Sequence, residues 1–468
     1  MSTPQAPYAE PEAHLPEAFA KAFKDADIRG VYPTEIDEVV AYRVARAFVE
    51  VFELPRVIVA RDMRLSSPSL HAAFIDGVRD AGAEAIDIGL ASTPALYFAS
   101  GSLDAYGVVI TASHNPQQYN GLKLVKAGAI PLTGKTGLNE IKKRVVKNRF
   151  ADPPKRGKLV KKAIYPQYER YVKGRITART REPVCVAVDA GGGMACLLEP
   201  LFDKKLPVAA TKLFFELDGT FAHRDSNPTL AKSQRAIKAE LECGGHDFGI
   251  AFDGDADRVA IFDERGYYIN SAVIGALLVE HMVRTQPGAS FIHTVFTSKI
   301  YEETIRACGG KPVRARVGHA FIKEMMRKRD AVFGCEHSAH FYFKDNFYAD
   351  SGILTFLYVL EAYIEARKAG KTFSDMVRPY ERYFQTEEML VEVRDKKATL
   401  KAVEEHYRAQ NPESIERFDG VTVRFAEHWL VVKESVTEDA LKFVVESPEK
   451  RTALKAQKEL RALLRDFE

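Results

Sequence analysis

Gly107-Val-Val-Ile-Thr-Ala-Ser-His-Asn-Pro116 is the stretch from which the chain is best read. Gly107 to Thr111 form a short apolar run of the kind that makes a buried strand, and Asn115 and Pro116 supply turn chemistry directly after it. Ser113 is therefore expected just past the carboxyl end of a strand, where open α/β sheets hold their ligands. Upstream, Glu35 to Phe52 has helical spacing, with Ile36, Val39, Val40, Val44, Ala47, Phe48 and Val51 on one face and Pro55 as a stop. Val57 to Ala60 reads as a second buried strand. Ser66 and Ser67 before Pro68 open another helix, and Gly82 is placed to end it. Strands alternating with amphipathic helices predict an α/β domain with a mainly parallel sheet.

The same pattern restarts twice. Val184 to Asp189 and Phe248 to Phe252 are strands of a second round, the latter running into Asp253. A third round has Phe291 to Val295, a helix from Lys299, and Ala331 to Phe333 leading into a loop at Gly334. Beyond Thr372 the character changes. Strands over Glu387–Val393, Val421–Phe425, Trp429–Val432 and Leu441–Val445 lie between helices, which predicts an α+β domain with antiparallel pairing. A chain of 468 residues exceeds one ordinary core, so several domains are expected. The boundaries read as a flexible N-terminus at 1–17, α/β domains at 18–158, 159–265 and 266–372, and an α+β domain at 373–468.

Composition excludes several classes. The 67 Lys and Arg against 64 Asp and Glu leave a formal charge of +3, too balanced for a dedicated nucleic-acid or membrane surface. The run Lys155-Arg-Gly-Lys-Leu-Val-Lys-Lys162 reads as a solvated linker. Five scattered cysteines form neither a zinc pattern nor a disulfide framework. The first sixteen residues lack the apolar segment of a signal peptide, and no run approaches the ~18 apolar residues of a membrane span. A cytoplasmic protein, acting without nucleic acid or membrane as a monomer or homodimer, is the expectation.

Three segments carry chemistry: Thr111-Ala-Ser-His-Asn-Pro116, Asp253-Gly-Asp-Ala-Asp-Arg258 and Gly334-Cys-Glu-His-Ser-Ala-His340. The first offers a serine beside His114. The second offers Asp253, Asp255 and Asp257, hard oxygen donors suited to Mg²⁺. The third offers Glu336, Ser338 and His340, a set fit to hold a polyol. An EF-hand is a poor reading of the aspartates, because its sixth position needs Gly and here is Arg258, and because Val259 to Phe262 continues as a strand. A phosphatase of the haloacid-dehalogenase type, with Asp253 as nucleophile, would leave Ser113 without a task.

Together with Phe23-Lys-Asp-Ala-Asp-Ile-Arg-Gly30, Arg61-Asp-Met-Arg-Leu-Ser-Ser-Pro68, Asn120-Gly-Leu-Lys123 and Asp218-Gly-Thr-Phe221, these segments resemble the α-D-phosphohexomutase superfamily. The match is to its phosphomannomutase/phosphoglucomutase branch and runs from Phe23 to about Glu446. The resemblance implies three similar α/β domains and a smaller C-terminal domain around a central cleft. It implies a phosphoryl group carried on Ser113, passed to a hexose phosphate, and regained from the other end of a hexose 1,6-bisphosphate, which also serves as activator. Mg²⁺ would be held by Asp253, Asp255, Asp257 and the substituted Ser113. Arg29, Arg258 and His114 would support the transfer, and Lys123 and His340 are the acid/base candidates. For Lys123 that role requires a depressed pKa, which neighbouring cations can provide. Glu336, Ser338, Gly318 and His319 would meet the sugar phosphate, and Lys433, Ser435 and Thr437 its distal phosphate.

The resemblance weakens at that last loop. Where the family favours Arg-Pro-Ser-Gly/Asn-Thr-Glu-Pro, this chain has Lys433-Glu-Ser-Val-Thr-Glu-Asp439, replacing a fork of donors with a point charge and adding Glu434 beside it. Ala26 stands where the family favours Tyr, Phe296 where relatives often carry Lys, and Ala339 where they carry Gly. The alternatives are a phosphoglucosamine mutase, or a non-enzymatic homologue that binds a phosphosugar or a protein.

Overall fold

A computed structural model describes residues 7–10, 13–151, 153, 155–435 and 440–468. The chain forms two compact units: Met1–Ile269 with Ala339–Phe373, and Asn270–Ser338 with Ser374–Glu468.

The first unit contains two mixed sheets. In the first, Arg56–Arg61 is central, parallel to both Glu84–Leu90 and Tyr106–Ile110. Tyr119–Lys126 then runs antiparallel to Tyr106–Ile110 and to Ile28–Val31. Helix Glu38–Phe52 begins three residues later than its apolar spacing predicts, because the Asp37 side chain accepts from the Val40 N–H and so caps it. Its inner face packs with Val57, Val59, Val108, Ile110 and Leu122 in one core. Helix Ser67–Asp80 ends at Ala81, and Gly82 follows in the left-handed region.

The linker run is partly structured. Its side chains from Lys158 to Lys161 are exposed, yet Leu159–Lys161 pairs in parallel with Glu84–Leu90 and extends the first sheet. Gly157 lets the chain come in: a Cβ there would lie 1.7 Å from the Ala83 carbonyl oxygen. The strand thus belongs to the sheet before it, on the far side of the boundary read at 158/159.

In the second sheet, Val184–Asp189 lies between Val208–Leu213 and Phe248–Phe252, parallel to both. Phe248–Phe252 returns as the antiparallel strand Val259–Asp263, with Phe252 opposite Val259. Residues 253–258 are the connecting loop. Ala339–Phe373 closes on this loop: Arg258 and His340 form an isolated antiparallel bridge, and helix Gly352–Lys368 starts with the Gly352 N–H donating to the Ala256 carbonyl.

In the second unit, Ser290–His293 pairs in parallel with Lys311–Arg314 and Phe333–Cys335. The last strand runs through Gly334 rather than ending at Phe333. C-terminal to Phe373, the antiparallel strands Ser414–Glu416, Val421–Arg424, Trp429–Glu434 and Leu441–Ser447 follow in that order. Met389–Val391 and Phe384–Gln385 add to the edge of Leu441–Ser447. Val403, Tyr407, Leu460 and Leu464 from helices Lys396–Arg408 and Lys450–Arg465 cover one face of this sheet. The α+β character expected of this segment is present.

Candidate active site

Ser113 lies on the loop after Tyr106–Ile110 and is buried, with a backbone φ of +52°. A left-handed serine costs about 1–2 kcal/mol unless its surroundings hold it. Here they do. The Ser113 N–H donates to Thr111 Oγ1 at 2.9 Å, and its carbonyl accepts from Arg64 Nη2 at 2.7 Å and Ser226 Oγ at 3.1 Å. Its hydroxyl donates to Asp253 Oδ2 at 3.2 Å and lies 3.5 Å from His114 Nδ1.

Asp253, Asp255 and Asp257 are buried, and one oxygen of each lies within 4.8 Å of the others. The hairpin that carries them is fixed by close approach. A Cβ on Gly254 would lie 2.8 Å from the Ser113 carbonyl oxygen, so only glycine lets the two loops meet this way. Thr93, at the start of helix Thr93–Leu103, donates through Oγ1 to Asp255 Oδ2 at 2.6 Å. Burial, then the charges of Asp257 and Asp255, push the Asp253 carboxyl well above its ordinary value. Burial opposes ionisation at Asp257 too, but Lys123 and His340 outweigh it and hold that carboxyl well below the usual range. Asp255 Oδ1 is buried with no hydrogen-bond donor among the described residues. Asp257 Oδ1 is likewise without a hydrogen-bond donor among the described residues, and hard, clustered oxygens with unsatisfied lone pairs fit a small divalent cation such as Mg²⁺.

Lys123 Nζ donates to Asp255 Oδ2 at 2.7 Å and Asp257 Oδ2 at 2.8 Å. Burial alone would lower its pKa, but the two carboxylates prevail and raise it above the ordinary lysine value. The depressed value expected from neighbouring cations is not present in this arrangement, because anions and not cations touch the ammonium. His114 shows the reverse. Burial and the charges of Arg258 and Arg29 hold it far below 6.5, so its neutral Nδ1 accepts from Arg258 Nη2 at 2.8 Å. Arg258 Nε donates to His340 Nε2 at 3.2 Å, and that nitrogen is 3.3 Å from Asp257 Oδ1. Arg29 donates to Asn115 Oδ1 at 2.7 Å and to Asp27 at 2.6 Å. Ser113, His114, Lys123, Arg29, Arg258, His340 and the three aspartates thus converge in the first unit.

The remaining candidates belong to the second unit. Gly318, at φ +121°, precedes helix His319–Arg329, whose first N–H groups suit an anion. Glu336 is buried, and His319 and Ser338 are half-buried. Lys433 is 3% exposed and donates to Asp419 Oδ2 at 3.0 Å, and the same oxygen accepts from the Val317 N–H at 2.7 Å. Burial lowers the Lys433 pKa, with Asp419 opposing. The lysine is therefore committed to an internal ion pair. Phe296 is buried edge-on to His337, 4.9 Å between ring centres. Ser435 is half-buried and its N–H donates to the Ala440 carbonyl; Thr437 lies outside the described residues.

Arg64, Thr93 and Ser226 carry much of the first unit's geometry and were not singled out from sequence. Arg64 lies inside a quoted motif, but its acceptors are backbone carbonyls that no side-chain pattern reveals.

Comparison with known proteins gives the lineage. Three family models match: phosphoglucomutase/phosphomannomutase α/β/α domain I over residues 20–152, domain II over 166–266 and domain III over 270–383. The chain is similar to a phosphomannomutase of Escherichia coli K12, 35% identical over 434 residues, covering 91% of this chain and 94% of that protein. It is 36% identical over 428 residues to a protein of Xanthomonas campestris pv. campestris named phosphohexose mutases, with 91% and 95% covered. A crystal structure of a phosphoglucomutase/phosphomannomutase family protein from Burkholderia thailandensis superposes with a TM-score of 0.84 at 28% identity, over 95% of this chain and 97% of that one. The chain belongs to the phosphoglucomutase/phosphomannomutase family of the α-D-phosphohexomutase superfamily and is a hexose-phosphate mutase, an isomerase.

Proposed function

We propose that this enzyme interconverts the 6-phosphate and 1-phosphate of mannose, glucose or both, with Ser113 as the phosphoryl carrier and hexose 1,6-bisphosphate as intermediate and activator. The observation that carries this reading is the Ser113 hydroxyl, 3.2 Å from Asp253 Oδ2 in a three-carboxylate loop. Asp253, Asp255, Asp257 and the substituted serine would hold Mg²⁺, which when bound supplies charge neutralisation at the transferred phosphoryl group.

The protein's own groups then divide the work. Arg258 and Arg29 offer guanidinium forks to the equatorial oxygens of the phosphoryl group. Lys123 is the acid/base candidate for the sugar hydroxyl. Its ammonium is a proton donor while it sits between Asp255 and Asp257, and it becomes a base only as that ion pair is relieved. His340, beside Asp257, is the second candidate. In the second unit, Glu336, Ser338, Gly318 and His319 are the candidates to orient the sugar phosphate, with Ser435 and Thr437 for its distal end. Lys433 contributes there through Asp419 more than as a free cation. Five free cysteines and the lack of a membrane-spanning helix among the described residues favour a cytoplasmic setting.

A coupled assay of mannose, glucose and glucosamine phosphates, each with its matching bisphosphate, tests the substrate class. Turnover of mannose or glucose phosphate that needs catalytic bisphosphate supports the reading. Turnover of glucosamine phosphate alone replaces it with the phosphoglucosamine mutase alternative.

A further inference from the structure

Arg64 uses every N–H it has. Its Nη1 donates to the carbonyls of Pro116 at 2.8 Å and Tyr119 at 3.0 Å, and its Nη2 to those of Ser113 and Asn115, both at 2.7 Å. Its Nε donates to Asp62 Oδ2 at 3.2 Å. The five donors of a guanidinium are thereby all taken, four of them by one seven-residue loop. The Phe221 ring lies 4.9 Å beneath the Arg64 guanidinium carbon, and Asp62 is anchored in turn by the Ser67 hydroxyl at 2.5 Å. The side chain is fully buried, so no solvent replaces these contacts. The Ser113 carbonyl it grips also accepts from Ser226, whose Oγ accepts the Gly254 N–H of the aspartate loop at 3.0 Å.

We propose that Arg64 is the positioning residue for the phosphoryl-carrying serine. It holds Ser113 in the left-handed backbone that turns its hydroxyl onto Asp253, while contacting neither substrate nor the transferred group. This rests on the reading of Ser113 as phosphoryl carrier. Carbonyls from four residues cannot be gathered by a point charge, so lysine is not equivalent to arginine here. Release of the grip lets residue 113 relax towards ordinary backbone and moves Oγ away from the carboxylate loop. A misplacement on the order of 1 Å is enough to cost about 100-fold in rate.

The test compares full-length wild type, Arg64→Lys and Phe221→Leu. Phe221→Leu removes only the ring beneath the guanidinium and guards against a lysine variant that fails to fold. Readouts are kcat and KM for the hexose phosphate, phosphoryl transfer to Ser113 from hexose 1,6-bisphosphate, and hydrogen exchange of the amides from Ser113 to Tyr119. Arg64→Lys is expected to lower kcat and the Ser113 phosphorylation rate about 100-fold, with KM within about threefold of wild type. Exchange should rise in that loop and stay unchanged in Val184–Asp189. Phe221→Leu should move the same quantities less, in the same direction. Wild-type kcat and wild-type loop exchange in both variants overturn the positioning role. So does a fall in Arg64→Lys that tracks global exchange, with Phe221→Leu silent. A wild-type enzyme that turns over without phosphate on Ser113 instead overturns the underlying reading, and is seen before either variant is compared.

Discussion

Lys123 and Asp255 form a buried ion pair, Nζ to Oδ2 at 2.7 Å, inside the carboxylate cluster proposed to bind a divalent cation. Thr93 donates to the same oxygen. Lysine and metal therefore draw on one set of negative charges. Lys123→Met should abolish most turnover, by at least about 100-fold for loss of an acid/base group. It should also tighten Mg²⁺ or Mn²⁺ binding, by about tenfold for 1.4 kcal/mol of relieved repulsion. Calorimetric titration of the variant without substrate checks this. Metal affinity weakened by the substitution would show that Lys123 organises the site rather than competing in it.

Asp255→Asn keeps the shape of the side chain and removes its charge. The Thr93 and Lys123 contacts can persist, so thermal unfolding should shift by only a few degrees while turnover falls by about 100-fold or more. Activity retained in excess chelator by the wild type would count against any role for the metal. Circular dichroism melts beside a coupled assay separate the two effects.

Lys433 gives a prediction opposite in kind. Its ion pair with Asp419 is buried, and Asp419 also holds the Val317 N–H just before Gly318 and His319. Lys433→Met should destabilise the protein, but by less than the about 3 kcal/mol of a stranded buried carboxylate, since Arg316 Nε at 3.5 Å and the Val317 N–H still hold Asp419. The double variant Lys433→Met with Asp419→Asn should recover a large part of that loss. Denaturant unfolding decides. A single variant of normal stability with a raised KM would mean that the lysine contacts phosphate after all.

The two lysines also mark what the sequence could and could not convey. Ser113 and Asp253 were legible because each follows an apolar strand within a few residues, a purely local pattern. Asp37 as a cap was missed for the same reason in reverse: helical spacing extends backwards past the point where a side chain stops the helix. Arg64 was out of reach, since its partners are carbonyls 49 to 55 residues downstream. The Lys433–Asp419 pair was hidden because Asp419 sits on the far side of a hairpin, and Leu159–Lys161 read as linker because its exposed lysines hid an edge strand.

His293 should impose a pH slope on stability. Burial holds its pKa down to about 4; Glu302 opposes this, and Arg314 and Arg306 add to it. The folded protein therefore keeps it neutral, whereas the unfolded chain protonates near 6.5. Its contribution is complete above about pH 6.5 and is lost as pH falls towards 4, up to about 3 kcal/mol in all. His293→Gln should flatten this part of the profile relative to wild type in urea unfolding between pH 7 and 4.5. Parallel profiles would contradict it.

Every step proposed for this enzyme depends on Ser113 carrying the phosphoryl group during turnover. Incubation with a hexose 1,6-bisphosphate labelled in both phosphates, followed by a chase with unlabelled hexose 6-phosphate, reads it directly by phosphopeptide mass spectrometry. Label is expected on the Ser113 peptide, with loss to sugar during the chase at a rate no slower than kcat, and none in Ser113→Ala. Sustained turnover with Ser113 unmodified, or with Ser113→Ala at wild-type rate, would contradict it.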